Sequence, residues 1–449
     1  MRAEPRNHAH MDQTPEPDIQ RSSHRFFWWR IFILQTFLMT SVIMPVYGFN
    51  ALIRPVNAVF HADSTLDGWP GALAGGVMFL GLACGYELTS LLTKVGLGFR
   101  GRWITACGMI SLCLVVAAIA CWTESLPLLL LGGVFPVGVG VGCCFMHSAN
   151  LLLSWGRYAG HLGLQSGMFG LMFGLWGAAF SLLATLTVAR WGLEWTLVGT
   201  AVLIMVLSLV SLINMQPPPA ATPQQEANIP RLTFRRVLGS KTLWLVFVFL
   251  LIFLTPGFGF KVIVQSLSQR IYHVSDLTAS LVAVAFLVSY GVSRLVCGLV
   301  ADHLSLKGLI LFFTAGQCLL LAATAIGLPL VEGIAFLTVM MCLVGALFAA
   351  GKSLWGMLLI TLFGPSNLNV GIGTTLPAFG LAGLIGPLSL NWALRSDDVL
   401  TMTSWWLYIM AAAMAIAVII VWLLRKFDFE ATHQALHFRP STRDQLDRF

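Results

Sequence analysis

A chain of 449 residues that is 57% hydrophobic and only 10% charged, with a mean hydropathy of +0.83, carries less than half the charge of an average soluble domain, roughly 25%. It cannot cover a water-facing surface, whereas its length accommodates about a dozen membrane spans of ~20 residues joined by short loops. The formal charge of +7 does not mark nucleic acid as a partner, because the basic residues lie between apolar runs on alternate sides, which is a topology signal.

In chain order, residues 1–25 mix Glu4, Asp12, Glu16 and Asp18 with Pro and basic residues, unlike the short basic start of a signal peptide. They read as a disordered cytosolic tail, with Met11 an alternative start. Apolar runs then predict spans over 26–48, 69–93, 103–122, 127–153, 161–188 and 193–214. A second set is predicted over 243–265, 277–300, 308–328, 332–359, 368–393 and 402–424. The expected organisation is an N-terminal six-helix bundle (26–214), a polar linker (215–242) that begins Gln216-Pro-Pro-Pro219, a C-terminal six-helix bundle (243–424) and a cytosolic tail (425–449).

With the N-terminus inside, the inner segments hold Arg21, Arg25, Lys94, Arg100, Arg102, Arg157, Arg231, Arg235, Arg236, Lys241, Lys307, Arg425 and Lys426 among others. Outer segments and span ends hold only Arg54, Arg190, Lys261, Arg270 and Arg395. The positive-inside rule therefore places both termini in the cytosol. Trp28, Trp29, Trp405 and Trp406 fall at span ends, where aromatics anchor at the membrane interface. The nine cysteines all lie in apolar stretches, without the spacing of a disulfide framework or a zinc site.

The halves resemble each other. Pro45-Val-Tyr-Gly48-Phe49-Asn50 in span 1 matches Pro256-Gly-Phe-Gly259-Phe260-Lys261 in span 7, and Phe173-Gly-Leu-Trp-Gly177 in span 5 matches Phe379-Gly-Leu-Ala-Gly383 in span 11. Two matches in the same order, about 211 and 206 residues apart, point to a duplicated transporter plan.

After span 8, Gly298-Leu-Val-Ala-Asp302-His-Leu-Ser-Leu-Lys307 resembles the loop signature of the major facilitator superfamily. The stretch after span 2, Leu92-Thr93-Lys94-Val-Gly96 with Arg100 and Arg102, is a degraded copy with Thr93 where the signature has Asp. Within the superfamily the chain looks like the oxalate:formate antiporter and monocarboxylate transporter branch, on Ser293-Arg294-Leu-Val-Cys-Gly298, on Leu153-Ser-Trp-Gly-Arg157 and on Gly380-Leu-Ala-Gly-Leu-Ile-Gly386-Pro387. Two departures stand out: span 11 lacks the lysine of oxalate-type carriers, and span 5 lacks the Gly-Pro motif of drug exporters. The resemblance implies an all-α polytopic membrane protein of twelve transmembrane helices, arranged as two six-helix pseudo-repeat bundles that rock about a midplane site.

Ionisable groups at membrane depth are costly and mark candidate sites. Arg294 in span 8 offers a planar fork that matches a carboxylate; a structural pair near the cytosolic gate is the alternative. Lys352, in Ala350-Gly-Lys-Ser-Leu-Trp355 of span 10, is a second positive charge for a substrate, a titrating group, or a lysine that snorkels to the interface. Lys261 follows the Pro-Gly break of span 7 and reads either as site-lining or as an outer-end anchor. Tyr47 and Asn50 on the interrupted span 1 can hydrogen-bond a ligand or simply pack, and His147 in span 4 is a contact or a core histidine. Glu87 is a proton carrier or a gate partner of Lys94 or Arg102, and Asp302 with Lys307 belongs to the inner gate.

No nucleotide loop, zinc cluster or hydrolase set is present, so neither an enzyme nor a cofactor is expected. The expected activity is secondary transport of a small, monocarboxylate-like organic anion across the cytoplasmic membrane by a monomer. The expected partners are that solute, the lipid bilayer, and a proton or an exchanged counter-substrate. The alternative is a neutral, peptide-like, drug or siderophore-type cargo; a polytopic membrane enzyme or sensor is a third reading.

Overall fold

The computed structural model describes residues 30–61, 68–158, 162–215, 237–301, 303–363 and 368–426, all of them helical or in short connections. The N-terminal tail to residue 29, most of the linker, Trp28, Trp29, Asp302 and the chain beyond 426 lie outside the described residues.

The helices are α1 (Ile33–Val59), α2 (Trp69–Lys94), α3 (Phe99–Trp122) and α4 (Leu128–Gly156), then the run Gly163–Ile213, which holds α5 and α6. The second half has α7 (Lys241–Tyr272), α8 (Asp276–Ala301), α9 (Leu306–Gly327), α10 (Ile334–Phe363), α11 (Leu368–Leu394) and α12 (Val399–Lys426). Each is long and apolar enough to cross a ~30 Å hydrocarbon layer. Gly192 separates α5 from α6: its φ of +84° is a conformation that glycine adopts without a Cβ penalty, and the single residue reverses the chain. Twelve helices result, as expected. Because their number is even, both ends of the described chain lie on one face, termed proximal here; the opposite face is distal.

Two helices outrun their predicted spans. α1 continues to Val59 and α7 to Tyr272, because Asn50, Arg54 and Asn57 in the first and Gln265, Ser268, Gln269 and Arg270 in the second lower local hydropathy and end an apolar run. Most of these polar residues are buried between helices rather than set in loops. α1 is also irregular. Short tight turns interrupt it at Ser41–Ile43 and Phe49–Leu52, around Pro45 and Gly48, where the missing N–H and the missing side chain loosen regular helix.

Packing repeats between the halves. α2 packs on α4 as α8 packs on α10, α3 on α6 as α9 on α12, and α1 on α5 as α7 on α11. The halves meet along two seams, α5 with α8 and α2 with α11. Close backbone approach makes both seams: a Cβ on Gly174 of α5 would lie 2.4 Å from the Leu287 carbonyl of α8, a distance no side chain tolerates. Small residues at such crossings are how helices associate in lipid, where no hydrophobic force drives them together. The repeated motifs diverge in contact, however. Gly177 abuts Tyr47 of α1, whereas its counterpart Gly383 abuts Phe79 of α2.

Exposed tryptophans Trp69, Trp122, Trp191, Trp392 and Trp405 ring the distal helix ends, and Trp244 and Trp422 stand near the proximal ones, as interfacial anchors do. Trp406 departs from that expectation. It is buried, donates to the Ser389 hydroxyl at 3.0 Å and packs on Phe260, because its helix face turns toward α7 and α11.

Candidate functional site

Helix breaks bring the polar groups of the centre together. On α1, Pro45 and Gly48 flank Tyr47. On α7, Pro256 sits inside the helix one turn before Lys261 and frees a backbone carbonyl from its usual donor. On α10, the helix is interrupted at Leu354, just after Lys352 and Ser353. α8 contributes Tyr290 and Arg294, four residues apart and therefore on one face.

The side chains converge on Tyr47. The Lys261 ammonium lies 3.1 Å from the centroid of the Tyr47 ring and 4.6 Å from that of Phe79. Lys352 donates to the Tyr47 hydroxyl at 3.1 Å and stands 5.0 Å from the Phe258 ring and 5.1 Å from that of Phe379. The Tyr47 and Tyr290 hydroxyls are 3.4 Å apart. Arg294 donates through Nε to the Ser353 hydroxyl at 2.9 Å, and its guanidinium stands 5.2 Å from the Phe173 ring and 5.8 Å from that of Tyr290. Aromatic faces are favourable neighbours for cations, so the rings suit the charged form of these three basic side chains without supplying a negative charge.

The charge balance of this cluster decides what it can do. Lys261 (1% exposed) and Arg294 (5%) are buried, Lys352 is half-buried, and no Asp or Glu among the described residues is buried. The described ion pairs are Arg54–Asp276 and His61–Glu124, and neither involves the cluster. Lys261 Nζ and Arg294 Nη1 meet no hydrogen-bond partner among the described residues. A charge at mid-membrane costs about 2.5–3.5 kcal/mol on insertion scales. Three without a counter-charge among the described residues approach the ~5–15 kcal/mol that stabilises a whole domain.

Arg294, Lys352, Lys261 and Tyr47 thus share one cluster. The fit of Lys261 to an outer-end anchor fails, because α7 runs eleven residues past it to Tyr272. Asn50 lies one turn further along α1 and turns toward α5, donating to the Ser181 hydroxyl at 3.0 Å. His147 is apart from the cluster in its contacts, its ring edge-on to Phe99 of α3 at 5.3 Å. Glu87 is exposed on α2, and no described ion pair joins it to Lys94 or Arg102. Arg102 donates instead to the Thr93 hydroxyl at 2.6 Å, so the threonine at the Asp position of the degraded loop still receives the basic residue. Lys94 and Lys307 are exposed at the proximal face.

Tyr290, Ser353 and Phe79 were not singled out from sequence, and Phe173, Phe258 and Phe379 stood in the repeated motifs without a site role. The four-residue spacing of Tyr290 and Arg294 was the available signal for the first, and the repeated motifs for Phe173, Phe258 and Phe379; Phe79 is indistinguishable in sequence from a lipid-facing phenylalanine.

The family model described as Major Facilitator Superfamily matches residues 31–387, well over half of the chain and every residue of the cluster. The chain belongs to the Major Facilitator Superfamily. It is therefore an integral membrane protein with a transporter fold. Among solved structures, the nucleoside transporter NupG is similar at 15% identity and a TM-score of 0.60, over 88% of this chain and 100% of that one. The superfamily transporter FucP in its outward conformation is similar at 12% identity and a TM-score of 0.57, over 87% and 99%. A variant of the E. coli fucose:proton symporter FucP matches at 12% identity, with a TM-score of 0.55 over 88% and 99%. At these identities the likeness concerns the fold. Comparison with curated protein sequences finds no match.

Proposed function

We propose that this superfamily member is a secondary active transporter of a small organic anion of the monocarboxylate type, working by alternating access across the cytoplasmic membrane as a monomer with both termini in the cytosol. The observation that carries the reading is the convergence of Lys261, Lys352 and Arg294 on Tyr47 with no buried acid among the described residues. A carboxylate placed between them receives the Arg294 fork and one or two ammonium groups, all already oriented by Ser353 and the aromatic rings, so little ordering is needed on binding. Rocking of the halves about the α5–α8 and α2–α11 seams then opens the neutralised cluster first to one face and then to the other. A proton or an exchanged counter-substrate supplies the coupling.

A neutral cargo is the second reading, and the fucose and nucleoside named for the structural neighbours are uncharged. It leaves the three cations without a counter-charge from the described residues, and the anion reading is preferred for that reason. Thermal stabilisation of the purified protein by carboxylates, amino acids, sugars and siderophores separates the two, because a ligand that binds only the native state raises its apparent stability. Stabilisation by carboxylates that disappears in Arg294→Gln supports the anion carrier; stabilisation by neutral solutes that persists in that variant sinks it.

A further inference from the structure

Resting on the alternating-access reading above, we infer that the Arg54–Asp276 ion pair is the latch of the distal gate and that the buried polar ladder of α7 lines the path it closes. Lys261, Gln265 and Gln269 recur every four residues and so share one face of α7; their exposures are 1%, 7% and 6%. The Gln265 amide donates across the seam to the Thr185 hydroxyl of α5 at 3.2 Å, and Thr185 is within 3.2 Å of the Ser280 hydroxyl of α8. Gln269 donates to Asp276 at the distal start of α8, and Arg54 of α1 donates to the same carboxylate oxygen. The ladder thus runs from the cluster to the surface, and each half of the molecule supplies part of it.

Its chemistry is what separates a route from ordinary packing. Close association of α5 and α8 needs only small residues, and further along the same seam Gly174 and Gly291 provide it. Polar side chains buried in lipid-surrounded protein gain little net stability from pairing with one another instead of with water, but they lose none when the seam opens and water replaces the partner. The latch fits the same cycle. The side chains of Arg54 and Asp276 are 45% and 61% exposed, and an ion pair so exposed is weakly held, enough to bias the closed state and not enough to lock it. This inference is independent of the charge of the cargo.

Ser280→Cys in the full chain reports on the route. An impermeant thiol reagent is applied to the outside of sealed cells, with the labelling of the parent chain subtracted. The expected result is slow labelling with the latch intact and a rise of roughly two- to fivefold in Asp276→Asn, the population change an exposed ion pair supports. The double exchange Arg54→Asp with Asp276→Arg should return labelling to the slow rate, which a variant that merely misfolds would not do. Equal labelling with and without Asp276→Asn, a double exchange that labels as fast as the single variant, or labelling only from the cytosolic side would each overturn the inference.

Discussion

The two halves of this transporter share a helix plan and divide the site unequally. The N-terminal half contributes Tyr47, Phe79 and Phe173, neutral groups that shape and hydrogen-bond; the C-terminal half contributes Lys261, Arg294 and Lys352, every cation in the cluster. The repeated motif makes the difference visible at one position, because Asn50 in α1 stands where α7 has Lys261. Asn50 finds a hydroxyl partner in Ser181, whereas Lys261 Nζ has only ring faces. Duplication therefore fixed the packing, and divergence of single residues on one copy supplied the charge. Substitutions in the C-terminal half should act on charge recognition and those in the N-terminal half on fit.

The largest effect is expected at Arg294. Arg294→Gln keeps the stem and removes the charge, and the affinity for a stabilising carboxylate should fall by about 30- to 4,000-fold, the range for removing one partner of a buried charge contact; calorimetric titration measures it. Next comes Lys261→Met, which should act in opposite directions on two states. Removing an unpartnered buried charge should stabilise the ligand-free protein by roughly 1–4 kcal/mol, while carboxylate-dependent stabilisation shrinks. A ligand-free melting temperature that falls would mean that Lys261 has a counter-charge after all.

Packing changes come third and leave the charge division untouched. Gly174→Val should destabilise by about 1–3 kcal/mol, since its Cβ would meet the Leu287 carbonyl at 2.4 Å and the Gly291 Cα at 2.5 Å. Gly108→Ala, with nothing within 4 Å, should be neutral within about 0.5 kcal/mol; melting curves of the two decide whether the α5–α8 seam is as tight as described. The smallest effect sharpens the N-terminal side of the comparison. Tyr47→Phe keeps the ring beneath Lys261 but removes the hydroxyl shared by Lys352 and Tyr290, and should weaken carboxylate binding about two- to tenfold.

Much of the fold was legible because lipid imposes a simple code. Apolar length and charge punctuation gave all twelve helices, and Gly192 sits in the predicted gap between the fifth and sixth spans. The same code failed where polar residues are buried inside the protein. Gln265 and Gln269 ended the predicted seventh span early, and that shortening is what made Lys261 read as a possible end anchor. The charged residues of the cluster were legible as anomalies in an apolar background. Tyr290 and Ser353 were not, because a hydroxyl at membrane depth is cheap enough to occur without function; helical spacing alone sets Tyr290 near Arg294, but only the third dimension brings in Ser353 from another helix.

The most direct test of the account is uptake into proteoliposomes of a labelled monocarboxylate and of a labelled neutral solute of similar size, by the parent chain and by Arg294→Gln. The expected result is carboxylate uptake that is saturable in the parent and lost in the variant, with no uptake of the neutral solute by either. Saturable uptake of the neutral solute that survives Arg294→Gln would contradict it, and would return the three cations to a role in gating.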